Sequence, residues 1–188
     1  HVDRRLAFVV GVVIAAVLSG CSAGTPSAAP VTLRLQVGLT PEELATFQPA
    51  IAALAAGHPE WVIALENVSS YVQFSHSEMT EWEFITELTR RTGCWLVFDV
   101  NNVFVSAFNH DFDAHEFIMN VPSDRIVQFH LAGHEHNMSH IIDTHDALVC
   151  DEVWDLYRTA IRRFGPVSTI IERDDNIPPL AELVEPAA

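Results

Sequence analysis

Trp95-Leu96-Val97-Phe98-Asp99 is a continuous apolar run that stops on an acid, and the chain repeats this design three more times. Val62-Ile63-Ala64-Leu65 leads to Glu66 and Asn67, Ile126-Val127-Gln128-Phe129 to His130, and Ser168-Thr169-Ile170-Ile171 to Glu172. Such short, mainly apolar runs suit strands covered on both faces. The polar ends fall 33, 31 and 42 residues apart, the length of a strand plus a crossover helix. Helix signals sit between the runs. Thr80-Glu81-Trp82-Glu83 is a capping box opening a helix to about Arg91, and Gly93 closes it. The Trp82, Phe84 and Leu88 stripe reads as its core-facing side. Asp113 to Met119 gives a short helix, and Asp151 to Phe164 an amphipathic one stopped by Gly165-Pro166. The fold class is therefore α/β, with parallel strands and outer helices.

Parallel strands point the same way, so the residues just past their ends converge on one face. Here that set is Glu66, Asp99, His130 and Glu172, with Asp143 and His145 on the loop after the third strand. Carboxylates and imidazoles without a thiolate form a hard O/N donor set suited to non-haem iron, manganese or zinc. Six donors exceed one tetrahedral shell, which points to two or more ions sharing carboxylates. His134, His136 and His140 fall in a polar loop and read as supporting or solvated residues. Cys94 and Cys150 read as small buried hydrophobes.

Composition removes other classes. Of the charged residues 25 are acidic and 10 basic, a formal charge of −15, which argues against binding nucleic-acid phosphates. Every basic residue is Arg, so a lysine Schiff base and a Walker-type P-loop are excluded. Three cysteines without a C-x-x-C pair exclude a disulfide scaffold. There is no G-x-S-x-G, G-x-G-x-x-G or H-E-x-x-H.

Residues 1–21 read as a signal peptide: Arg4 and Arg5, an apolar Leu6 to Leu18, then Leu18-Ser19-Gly20-Cys21. The last four resemble the lipobox of bacterial lipoproteins, which implies lipidation at Cys21 and an extracytoplasmic, membrane-anchored protein. Residues 22–60 read as a tether, a strand at Val31 to Val37 and a helix after Thr40-Pro41-Glu42-Glu43. Thr40 to Ile51 and His58-Pro59-Glu60-Trp61 resemble the start of solute-binding lipoproteins of ABC transporters. A lipid-anchored binding-protein fragment is the alternative this implies.

Residues 61–188 carry a second likeness. Glu66-Asn67-Val68-Ser69-Ser70-Tyr71, Met79 to Phe84, Arg91-Thr92-Gly93-Cys94 and Asp99-Val100-Asn101-Asn102 open the series. Ser106 to His110, His130-Leu131-Ala132-Gly133-His134, Asp143-Thr144-His145-Asp146 and Glu172 to Pro179 complete it. Together these motifs resemble the C-terminal half of the MbnB/TglH-like multinuclear non-haem iron enzymes. The resemblance implies a TIM-like βα-barrel, here about half of one, holding two or three iron ions. It implies O2-dependent oxidation of cysteine in ribosomally made precursor peptides, aided by a small leader-binding partner protein, normally in the cytoplasm. Carried over by position, Glu66, Asp99, His130, Asp143, His145 and Glu172 would be iron ligands, with Asn102, His110 and His134 close by.

The family's barrel opens with further strands bearing two more histidine ligands and a strand-end acid, and no counterpart precedes Glu66. A complete barrel takes roughly 250 residues. The expectation is a truncated barrel joined to a secretion leader, its open edges covered by a second copy in a homo-oligomer. A xylose-isomerase-like barrel isomerase or hydrolase, using zinc or manganese, is the remaining alternative.

Overall fold

The computed structural model describes residues 11–16, 32–35, 61–73, 75, 77 and 79–183. The leader's charged start, Cys21, the tether, and the helix expected after Thr40 lie outside them. No helix among the described residues is long and apolar enough to cross a membrane.

The four apolar runs are four parallel strands: β3 (Trp61–Glu66), β4 (Trp95–Asp99), β5 (Ile126–Leu131) and β8 (Ser168–Ile171). Two further strands, β1 (Gly11–Ala16) and β2 (Thr32–Leu35), complete a sheet of order β2-β1-β3-β4-β5-β8. β1 runs antiparallel to both β2 and β3. Thus Gly11–Ala16, inside the apolar stretch read as the leader's centre, is paired as a strand. The parallel part, with its helices, is a partial TIM-like barrel.

Helix α1 (Glu81–Thr92) has the expected capping box at Thr80 and ends on Gly93 at φ 72°. α3 (Ala114–Asn120) is capped by Asp113, and α4 (Asp151–Phe164) ends before Gly165. Between α1 and α3 stands a helix the sequence reading did not anticipate, α2 (Val100–His110). Its sequence is rich in β-branched residues and asparagine, poor helix formers in isolation. Burial of Val100, Val103 and Val105 overrides that propensity. The polar loop after β5 is also ordered as a hairpin of β6 (Glu135–Asn137) and β7 (His140–Ile142). A short α5 (Leu180–Leu183) follows β8.

The main core fills the space between the sheet's outer face and the helices. Leu96, Phe98, Phe129 and Leu131 meet Phe117, Ile118, Val153 and Leu156 there, with Trp82 and Phe84 at the margin. Phe98 lies edge-on to Phe129 and Phe164, and Trp82 edge-on to Phe117. Each fully buried ring contributes about 1.5–3 kcal/mol. Ala64 and Val97 form a separate small cluster. Cys94 is buried and Cys150 half-buried.

Candidate metal centre

Register decides which side chains meet. Glu66 pairs with Val97, Asp99 with His130, and His130 with Ile170. Paired residues share a face, and so do residues two apart on one strand. Glu66, Asp99, His130 and Glu172 therefore project from the same side of the sheet, opposite the helical core. An irregularity makes this possible. Leu96 pairs with Ile126 but Val97 with Gln128, so β5 carries one extra residue at Val127. Without that bulge Phe129 would stand beside Asp99.

The four side chains each offer a donor atom, and all four atoms lie within 4.8 Å of one another. His130 Nδ1 is 2.6 Å from Glu66 Oε1 and 3.7 Å from Glu172 Oε2. Donors bound to one ion at about 2.0–2.2 Å lie up to about 4 Å apart, so a small contraction would close the set.

Asp99 has two tasks. It ends β4 and caps α2, its Oδ1 accepting from the Asn102 N–H at 2.8 Å. Its Oδ2 is buried without a hydrogen-bond partner among the described residues, 4.0 Å from His145 Nε2. An orphaned carboxylate oxygen at a cluster of hard donors fits a divalent cation. Burial, then the nearby Glu66 and Asp143, push the Asp99 carboxyl well above its usual range; His145 and the Asn102 N–H oppose this.

Asp143 and His145 adjoin the four. His145 Nε2 is 2.7 Å from Asp143 Oδ1, and its Nδ1 is 3.1 Å from Glu172 Oε2 and 3.5 Å from Asp174 Oδ2. Burial works against charging His145, but Asp143, Asp99 and Asp174 outweigh it and raise its pKa. The residue has a positive φ of 52° and is held at both backbone ends. Its N–H donates to Gly133 O, and its carbonyl accepts from the Asp174 N–H. Gly133 is required for that approach, since a Cβ there would fall 2.2 Å from Ala147 O.

Asn102 donates to Asn67 O at 2.9 Å, while the Asn67 amide bridges both Asp99 backbone groups. Those contacts lock the tips of β3 and β4 together. His134 is buried and stacked on Phe104, with Nδ1 2.7 Å from Asn101 Oδ1; burial and then His136 lower its pKa. His110 stands apart from the four, 3.0 Å from Ser70 Oγ. His136 and His140 are exposed.

The sequence reading missed several supports. Asn101 donates to Asp143 Oδ1 at 2.7 Å, the Tyr71 hydroxyl accepts from the Asp143 N–H at 2.9 Å, and Gln128 Oε1 lies 3.2 Å from His130 Nε2. Gln128 had a signal: it is the one polar residue in Ile126–Phe129, two before His130. Tyr71 and Asn101 lie within the motifs quoted above, but nothing local in sequence ties either to Asp143, which is remote along the chain.

Residues 35–188 match the family described as RiPP precursor modification enzyme MbnB/TglH/ChrH. The chain belongs to the MbnB/TglH/ChrH family. The match begins well before Glu66, where the motif-by-motif likeness starts. A UPF0276 protein of Caulobacter vibrioides is 50% identical over 150 residues, 80% of this chain and 53% of that relative. Another from Rhizorhabdus wittichii is 55% identical over 121 residues, 64% of this chain and 43% of the relative. One from Anaeromyxobacter is 52% identical over 123 residues, 65% of this chain and 44% of the relative. The chain thus spans about half the length of the curated relatives it matches.

Proposed function

We propose that this MbnB/TglH/ChrH-family chain serves an iron-dependent oxidation of cysteine in a ribosomally made precursor peptide, with O2 as oxidant. The observation that carries the reading is the convergence of Glu66, Asp99, His130 and Glu172 within 4.8 Å at one edge of the parallel strands. Three carboxylates and an imidazole suit iron as well as zinc or manganese. The family description supports a peptide substrate, and the choice of iron over the other two follows the resemblance of the motifs from Glu66 to Pro179 to the non-haem iron enzymes.

Glu66, Asp99, His130 and Glu172 would hold one ion. Asp143 and His145, whose Nε2 lies 2.7 Å from Asp143 Oδ1 and 4.0 Å from Asp99 Oδ2, would hold a second. Bound iron would supply a site for a cysteine thiolate and electrons for O2. The chain's own contribution is placement. Asn67 and Asn102 fix the β3 and β4 tips, Gly133 sets the approach of His145, and Asn101 orients Asp143. A small partner protein that binds the peptide leader completes the proposal.

The test is metal content after anaerobic purification. More than one equivalent of iron, lost in Glu66→Ala and His130→Ala, is expected. Absence of iron, with both variants indistinguishable from wild type, defeats the reading. Zinc or manganese in its place would favour a barrel isomerase or hydrolase instead.

A further inference from the structure

We propose that Gln128 is a positioning residue that fixes the Nε2–H tautomer of His130, so that Nδ1 is presented to a cation at the strand-end cluster. The inference rests on the metal reading above and extends it to a residue outside the donor set.

Gln128 interrupts an apolar run and is buried, an unfavourable place for an amide without a partner. The bulge at Val127 pairs it with Val97 and keeps it on the face that carries His130. There its Oε1 lies 3.2 Å from His130 Nε2. The other ring nitrogen, Nδ1, points to the carboxylates, 2.6 Å from Glu66 Oε1 and 3.7 Å from Glu172 Oε2.

Both ring nitrogens therefore face oxygen atoms, Nδ1 on the carboxylate side and Nε2 on the amide side. An imidazole that ligates a cation through one nitrogen carries its single proton on the other. The Nδ1 lone pair then meets the cation, and Nε2–H donates to Gln128. Since Nδ1 is the nitrogen on the cluster side, the proton must sit on Nε2, and the amide must offer its oxygen. Hydrogen-bond partners of this kind on a ligating histidine are worth about 10–100-fold in metal affinity.

Zinc, being diamagnetic, is the probe. With the full chain labelled with ring-15N histidine, the His130 signals are assigned by their loss in His130→Gln. Zinc-loaded wild type is expected to show a proton on Nε2 and a metal-shifted Nδ1. Gln128→Met, which removes the acceptor at similar volume, should bind zinc about 10–100-fold more weakly. Gln128→Glu, which keeps an acceptor, should restore affinity to within a few-fold and give the same tautomer. A proton on Nδ1 in the zinc-loaded wild type overturns the proposal, and so does wild-type zinc affinity in Gln128→Met. If Gln128→Met does not fold by circular dichroism, the wild-type tautomer decides alone. A wild type that binds no zinc overturns the metal reading and this inference with it; intact binding by Gln128→Met overturns the Gln128 role only.

Discussion

Glu66 Oε1 and His130 Nδ1 stand 2.6 Å apart although their strands are not neighbours, β4 lying between them. The two side chains meet over the tip of β4, where Asp99 ends the strand. Three strands thus deliver donors to one point, and Glu172 arrives from the fourth, its N–H bonded to Leu131 O at 2.7 Å. A site built this way depends on sheet register and on the loops that lean against it, which makes it open to test by substitution.

Stability of the metal-free protein should fall as pH rises. The folded state raises the Asp99 pKa above its usual value of about 3.9, so between the two values the folded chain holds a proton the unfolded chain has released. His145 is also raised; the stability it contributes is complete below about pH 6.5 and is lost as pH climbs through its folded value. Both slopes have the same sign; the lowered pKa of His134 opposes them below about pH 6.5 and adds nothing above it. Chelated protein should melt at lower temperature near pH 8 than near pH 5, and Asp99→Asn should flatten the profile while weakening metal binding. A Tm that is level or rises over that range contradicts the assignment.

Gly133→Ala should disturb the centre from outside the donor set. Its Cβ would collide with the Ala147 carbonyl, so the loop bearing Asp143 and His145 must move. A loss of about 1–3 kcal/mol, typical of overpacking, is expected together with weaker metal binding. Gly93→Ala is the control: at φ 72° with nothing within 4 Å of the added Cβ, it should cost about 1 kcal/mol and leave metal affinity unchanged. Urea titration and calorimetric metal titration of both variants separate the effects.

Asn101→Leu removes the donor to Asp143 and the acceptor for His134 Nδ1 in a single change. Metal affinity should drop about 10–100-fold. If calorimetry of a folded Asn101→Leu protein returns wild-type affinity, Asp143 needs no such support.

Thr80→Ala tests the fold apart from the centre. Loss of the reciprocal Thr80–Glu83 cap should cost about 1 kcal/mol in denaturant unfolding, with metal binding unaltered. A change in metal affinity would couple α1 to the centre.

What the chain's linear order determined by itself was local and periodic. Four apolar runs ending on Glu66, Asp99, His130 and Glu172, and the cap at Thr80, depend on neighbours within a few residues, and each of these elements formed where expected. Tertiary structure decided the rest. α2 exists because burial outweighs the weak helix propensity of Val100–Ser106. His130, and not Phe129, stands beside Asp99 because of the single extra residue at Val127, and no periodicity reveals on which strand a bulge falls. His145 reaches Glu172 only because Gly133 admits the Ala147 backbone. Those are contacts between segments far apart along the chain, created by register and close packing, and local sequence carries no record of distance through space.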